Sequence, residues 1–290
     1  MRRRQLLGYT ALLITGCQAP FLTHRPELLS QTTLRFAVTD VLSVAEMERD
    51  FGQFRQTLST ALGVPIEFVA AATMPAATSA LQLNQIDLAL AGPSEYVQIR
   101  RRTNAQPVLG ITRPSYKSVI VKPPQSKLQS LTDLRGKTLA LSDISSTSGH
   151  LGPMILLLEA GLDPREDLEV QMLGDDGSVA AIRGGRVDAW GGSFLDYQAY
   201  LQGYPILTTG PLLPNDLIVA SSYLTPEVVV AIRDRLLAWS QDLLQALAAT
   251  EDTQKYQGSQ FVTVQDQDYE PIRQAFARLG EQSFIPEQTW

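Results

Sequence analysis

Residues 138–161 read TLALSDISSTSGHLGPMILLLEAG. The stretch opens on a short apolar run, Thr138 to Leu141, of strand length, and ends in a helical segment, Pro153 to Ala160, closed by Gly161. Between them stand Ser145, Ser146, Thr147, Ser148 and Gly149, with Pro153 in the first turn of the helix. A strand feeding a helix through a short polar turn is the unit from which α/β proteins are built.

The same alternation extends in both directions. Downstream, Leu168 to Leu173 reads as strand, Val179 to Gly184 as helix and Val187 to Ala189 as strand. Upstream the order is strand Leu34 to Val38, helix Val44 to Leu62 stopped by Gly63, strand Ile66 to Val69 and helix Pro75 to Asn84. Strand Asp87 to Ala91, helix Pro93 to Arg102 and strand Val108 to Ile111 follow. Two α/β lobes are expected. Thr225, as N-cap before Pro226, starts a long helix in which Val228, Ile232, Leu236, Leu243 and Leu247 repeat near helical spacing. The sequence has no internal repeat, low-complexity tract or second apolar segment long enough to span a bilayer.

At 290 residues and 44% hydrophobic content the chain can bury a large core. Its formal net charge is −6, and the first sixteen residues hold three arginines and no acids, so their removal makes the body more acidic still. A nucleic-acid role is disfavoured, whereas a small anion is not, since a helix N-terminus binds anions locally. The single cysteine, Cys17, rules out an internal disulfide or a cysteine-rich metal site, and no cofactor is implied. Arg2, Arg3 and Arg4 followed by apolar Leu6 to Ile14 form an export signal over residues 1–16. Ile14-Thr15-Gly16-Cys17 resembles a bacterial lipobox, which implies cleavage before Cys17 and lipid on its sulfur. Arg3-Arg4-Gln5-Leu6-Leu7 also resembles a twin-arginine signal, so both export routes stay open. Residues 17–33, with prolines and no sustained period, read as a tether.

The hydroxyl-rich turn carries the chemistry. Four hydroxyls and free backbone N–H groups meet the positive end of a helix, and Gly149 lets backbone come close, an arrangement that suits a tetrahedral oxyanion. Ser and Thr are also ordinary helix caps, but four in a row exceed that need. A hydrolase with Ser148 as nucleophile and His150 as base has the residue types but no nucleophile-elbow pattern. Asp175-Asp176 alone reads as a solvated turn rather than a metal site, and Arg100-Arg101-Arg102 as a solvated helix end. Trp190 belongs either to a core or to a cleft wall.

Asp143 to Pro153, DISSTSGHLGP, resembles the anion-binding loop of the PhnD family of phosphonate and phosphate binding proteins. Ile86 to Ala89 with Gly92-Pro93-Ser94-Glu95-Tyr96, Tyr116 to Val121, Leu131 to Lys137 and Pro214-Asn215-Asp216 are similar to further family segments in the same order, from about Leu34 to Leu224. The resemblance implies a two-lobed α/β type II periplasmic-binding-protein fold with two hinge crossover strands. Lobe 1 would be residues 34–121 and 217–290, and lobe 2 residues 122–216. It implies a monomeric, exported, lipid-tethered protein that closes over a phosphonate, phosphate or phosphite type oxyanion and delivers it to an ABC permease; a receptor partner would use the same closure. It puts Ser146, Thr147, Ser148 and Gly149 on the oxyanion, and Tyr96, Tyr116, Asp196 and Asp216 around the cleft. Asp176 stands where the family has a histidine, and Met74 where it has a tyrosine. Asp176 could be protonated, face away from the cleft, or meet a cationic group of the ligand. His150 either supplies the missing imidazole or is a surface residue on the first helical turn.

Overall fold

The computed structural model describes residues 33–39, 43–71 and 74–280. The export signal, Cys17 and the tether up to residue 32 lie outside them. The first half alternates β1 (Leu34–Val38), α1 (Val44–Leu62), β2 (Ile66–Phe68), α2 (Met74–Gln82), β3 (Leu88–Ala91), α3 (Pro93–Thr103) and β4 (Gln106–Ile111). Then come β5 (Lys117–Val121), β6 (Thr138–Leu141), α4 (Gly152–Glu159), β7 (Glu169–Met172), α5 (Gly174–Arg183), β8 (Ala189–Ser193), α6 (Phe194–Tyr200) and β9 (Ile206–Leu212). The last described elements are β10 (Asp216–Ala220), α7 (Pro226–Ala238), α8 (Ser240–Leu247), β11 (Phe261–Val262) and α9 (Glu270–Leu279).

Local signals explain the best-formed elements. Ser43 caps α1 by accepting the Glu46 N–H, and Gly63, at φ 73°, ends it in the left-handed conformation. Met47, Phe51, Phe54, Leu58 and Leu62 recur at helical spacing and are buried. β3, Leu-Ala-Leu-Ala, is buried along its whole length, as a strand covered on both faces must be.

Among the described residues the strands form two sheets. The first has six, in the order β11-β4-β10-β3-β1-β2; the second has five, in the order β7-β6-β8-β5-β9. β1, β2 and β3 are mutually parallel, as are β6, β7 and β8, while β10 and β5 run antiparallel within their sheets. The chain passes between sheets twice, from β4 to β5 and from β9 to β10, and the two passages are hydrogen-bonded, Leu213 N–H donating to the Tyr116 carbonyl at 2.9 Å. Because β5 pairs with β8 and β9, the change of sheet falls between Ile111 and Lys117, earlier than the boundary expected after Val121.

Three other elements differ from expectation. α5 starts at Gly174 rather than Val179, so Asp175 and Asp176 occupy the first turn of a helix and not a free turn; acids there complement the helix dipole. β8 runs Ala189–Ser193, shifted from the expected 187–189. The long C-terminal helix is two, α7 and α8, divided at Trp239. α9 packs against both α3 and α4, so the C-terminal segment touches helices of both sheets. Trp190 is core: it is buried and its indole N–H donates to Ser178 Oγ at 2.9 Å.

Candidate functional site

The hydroxyl-rich turn leaves the C-terminal end of β6. Ser145 has φ +75°, a left-handed conformation unfavourable for a residue with a Cβ. Two bonds hold it there: its N–H donates to His150 Nδ1 at 3.1 Å, and its carbonyl accepts from the Ser94 hydroxyl. Ser146 is the N-cap, its Oγ accepting the Gly149 N–H at 3.1 Å. Its carbonyl accepts from Leu151 N–H at 3.0 Å, the wide bond that makes Thr147–Leu151 a turn of π-helix before α4, a form frequent at functional positions. α4 itself begins at Gly152, one residue before the expected Pro153, and the unexpected π-helical turn carries the helical segment back to Thr147.

Thr147 and Ser148 are buried and face groups from elsewhere in the chain. Thr147 Oγ1 accepts the Ser94 N–H at 3.1 Å and donates to Ser94 Oγ at 3.0 Å, joining the start of α4 to that of α3 across the two sheets. The Ser148 carbonyl accepts from Ser118 Oγ of β5 at 2.9 Å. Burial raises the pKa of Tyr116, opposed by Arg113 and by hydrogen bonding to the Thr147 and Ser148 hydroxyls, so this phenol belongs to the same cluster.

Gly149 has a packing duty as well. A Cβ there would lie 2.4 Å from Ser142 Cβ, so the glycine lets the turn close onto the end of β6. His150 is neither on the surface nor cationic: it is 1% exposed, and burial pulls its pKa down to about 4. Tyr96 is buried edge-on against Tyr269, centroids 4.7 Å apart, and its hydroxyl donates to Asp266 Oδ1 at 2.7 Å. Its polar end is thereby engaged with the turn that precedes α9. The Met74 side chain lies outside the described residues.

The expected carboxylates divide into three settings. Asp176 is exposed in the first turn of α5, next to Asp175, which accepts from Ser142 Oγ. Asp196 starts α6, accepts from the Ser193 hydroxyl, and has its pKa raised by burial, with Arg113 among the groups lowering it. Asp216, at the second passage between sheets, accepts from Tyr256 Oη at 2.9 Å and pairs with Arg113 at 3.5 Å.

Ser94 and Arg113 were missed. Ser94 follows Gly92-Pro93 at a helix start, the same strand–turn–helix signal as residues 138–153, and was available to sequence reasoning. Arg113 sits in the first passage between sheets, where no motif marks it. Its guanidinium lies over the Tyr116 ring, 3.8 Å from the centroid. Burial works against its charge, but Asp216, Tyr116 and Tyr256 outweigh that and hold its pKa above the ordinary value. Among the described residues no group of histidines, cysteines and carboxylates is arranged to hold a metal, and no helix is long and apolar enough to cross a membrane.

Two mixed sheets joined by two adjacent passages, with polar helix starts facing each other between them, define the type II periplasmic-binding-protein architecture. The chain belongs to the phosphonate periplasmic substrate-binding proteins of ABC transporters: the model of that family matches residues 36–269. Membership carries a periplasmic location. The phosphate-import protein PhnD of Mycolicibacterium smegmatis is 26% identical over 198 residues, 62% of this chain and 61% of that protein, so the match spans about three-fifths of the relative's length. PhnD1 of Prochlorococcus marinus, solved with methylphosphonate, superposes with a TM-score of 0.67 at 19% identity, covering 86% of this chain and 98% of that one. The sulphonate-binding protein SsuA of Escherichia coli gives 0.61 at 18% identity and 89% of each chain. At these identities the structures share the fold.

Proposed function

We propose that the chain is the capturing component of an ABC importer and holds a phosphonate, phosphate or phosphite type oxyanion between its two sheets. The observation that carries this reading is the row Ser146, Thr147, Ser148 at the start of the α4 segment. Thr147 is bonded to the start of α3, and with Ser148 it lies beside the Tyr116 phenol. Hydroxyls and helix N-termini together meet a tetrahedral anion with several donors and a favourable field. Phosphate in the name of the Mycolicibacterium relative and methylphosphonate in the Prochlorococcus complex favour phosphorus over sulfur. A ligand bridging the two helix starts stabilises the closed arrangement, which the permease then recognises.

Calorimetric titration of the purified protein with phosphate, phosphite, methylphosphonate, 2-aminoethylphosphonate and taurine tests the reading. Tight binding of one phosphorus oxyanion is expected, and Ser148→Ala weakens it by about 1–3 kcal/mol, the range for a lost hydrogen bond to a charged group. Unchanged affinity in Ser148→Ala removes the row from the site. Cys17 carries the lipid that tethers the protein to the membrane, a reading supported by the lipobox-like run before it. Mass spectrometry of the mature N-terminus is expected to find a diacylated Cys17 as first residue; a soluble form beginning elsewhere overturns it.

A further inference from the structure

Two of the arginine–aspartate pairs with a buried carboxylate among the described residues are built differently. Arg35 grips Asp87 with a two-pronged fork, Nε to Oδ2 at 3.1 Å and Nη2 to Oδ1 at 2.7 Å, and the Arg35 N–H adds a third bond at 2.5 Å. That is how guanidinium and carboxylate satisfy each other when their task is to hold strands together. Arg113 and Asp216 are more deeply buried as a pair, at 11% and 4% side-chain exposure, yet meet through one long contact of 3.5 Å. Asp216 Oδ2 is shared with Tyr256, while Asp216 Oδ1 and Arg113 Nε are both buried with no hydrogen-bond partner among the described residues. An unpaired buried N–H on a charged group is costly.

Position explains the incomplete pair. Arg113 lies in the first passage between sheets, on the face of Tyr116, and the hydroxyl of that tyrosine reaches Thr147 and Ser148. The guanidinium therefore lies against the same tyrosine whose hydroxyl reaches the hydroxyl row. Its charge is felt by Asp196 at the start of α6 as well as by Asp216, so it sits among the groups of both sheets that surround the site. Asp176 is an exposed acid, and His150 is buried with its pKa pulled well below neutrality, so neither brings a positive charge to the hydroxyl row.

We infer that Arg113 is a ligand-contacting, specificity-determining residue, whose Nε–H supplies the cationic hydrogen bond to the oxyanion held at Ser146–Gly149. The inference rests on the oxyanion reading proposed above. Asp216, Tyr116 and Tyr256 keep the guanidinium charged and oriented, and the loose Asp216 contact leaves a donor for the guest. An anion with a full second charge gains most from such a cation, which makes Arg113 a discriminator between dianions and monoanions of the same shape.

The test is calorimetry with methylphosphonate and inorganic phosphate on the wild-type protein, Arg113→Gln, Arg113→Lys and, as a control on the structural pair, Arg35→Gln. Arg113→Gln is expected to lose at least about thirtyfold in affinity, as when one member of a buried charged hydrogen bond is truncated. Arg113→Lys recovers part of the loss, because it keeps the charge and lacks the planar fork. Arg35→Gln lowers the melting temperature without changing affinity. Wild-type binding matched by Arg113→Gln overturns the role of Arg113 and leaves the oxyanion reading standing; wild-type protein that binds neither anion overturns both. Should Arg113→Gln not fold, Asp216→Asn and the Asp216→Asn/Arg113→Gln double variant carry the same measurement, since removing both charges relieves the unpaired carboxylate. A further thirtyfold loss from the single to the double variant supports the inference, and equal affinities refute it.

Discussion

β6 and β7 are neighbouring parallel strands, and each feeds a helix at its C-terminal end, one through Ser145–Gly149 and the other through Gly174–Ser178. The backbone plan is shared and the chemistry is opposite. The first turn is buried, π-helical and lined with hydroxyls, while the second begins an ordinary α-helix with two exposed carboxylates. A helix N-terminus attracts negative charge in either case. In α5 the protein's own Asp175 and Asp176 occupy that field; at the start of the α4 segment no acidic side chain does, so the field is left to an anion from outside.

The largest expected difference between the turns is their response to acid. His150 is buried with a pKa near 4, against an ordinary value of 6.5, so the unfolded chain binds a proton between those values that the folded chain refuses. The contribution of the neutral imidazole is complete above pH 6.5 and is lost as pH falls from there through about 4, a change of about 3 kcal/mol. Denaturant melts across this window are expected to show wild type losing that much more stability than His150→Gln, whose side-chain oxygen can still accept the Ser145 N–H. Parallel acid profiles for the two proteins would mean that the first turn opens enough to hydrate the ring, erasing the contrast with the second.

A smaller effect separates the glycines. Gly149→Ala brings a Cβ to 2.4 Å from Ser142 Cβ, and the overpacking is expected to cost about 1–3 kcal/mol. Gly177→Ala places its Cβ 3.4 Å from Leu173 Cβ, inside α5, where alanine is the better helix former, and is expected to gain about 0.5–1 kcal/mol. Thermal melts of the two variants should therefore move in opposite directions. A neutral Gly149→Ala would show that its turn is not packed onto β6.

What the sequence disclosed follows the same division between local and distant causes. α1 could be read end to end because Ser43, Gly63 and a clean apolar stripe all lie within it. The hydroxyl turn could be read because its strand, cap and proline are contiguous. The start of α5 was hidden by Gly174 and Gly177, poor helix formers whose acidic neighbours look like a solvated turn. β8 was displaced because Gly191 and Gly192 interrupt it; at Gly192 a Cβ would run into the Trp190 ring. The break at Trp239 falls within an apolar repeat and carries neither proline nor glycine. The hydrogen bond of Tyr96 to Asp266 could not be read because the two residues are 170 positions apart. Arg113 was invisible for the same reason, being defined by Asp216 from the opposite passage.

The smallest predicted effect bears on Asp176. At 4 Å and an effective dielectric of 20, a carboxylate would repel a bound anion by about 4 kcal/mol, but in bulk water by about 1 kcal/mol. Asp176 is exposed, so the weaker limit applies, and Asp176→Asn is expected to raise oxyanion affinity by no more than about fivefold, with the gain fading as salt is added. The same change removes one charge from the first turn of α5 and is expected to cost that helix about 0.3–1 kcal/mol. Titrations at low and high salt separate the possible roles. A tenfold or greater gain that persists in salt would mean that Asp176 turns into a dry cleft on closure, and the two turns would then compete for one ligand. A loss of affinity confined to 2-aminoethylphosphonate would make the acidic turn the seat of the ligand's ammonium group, and the two turns would be halves of a single zwitterion site.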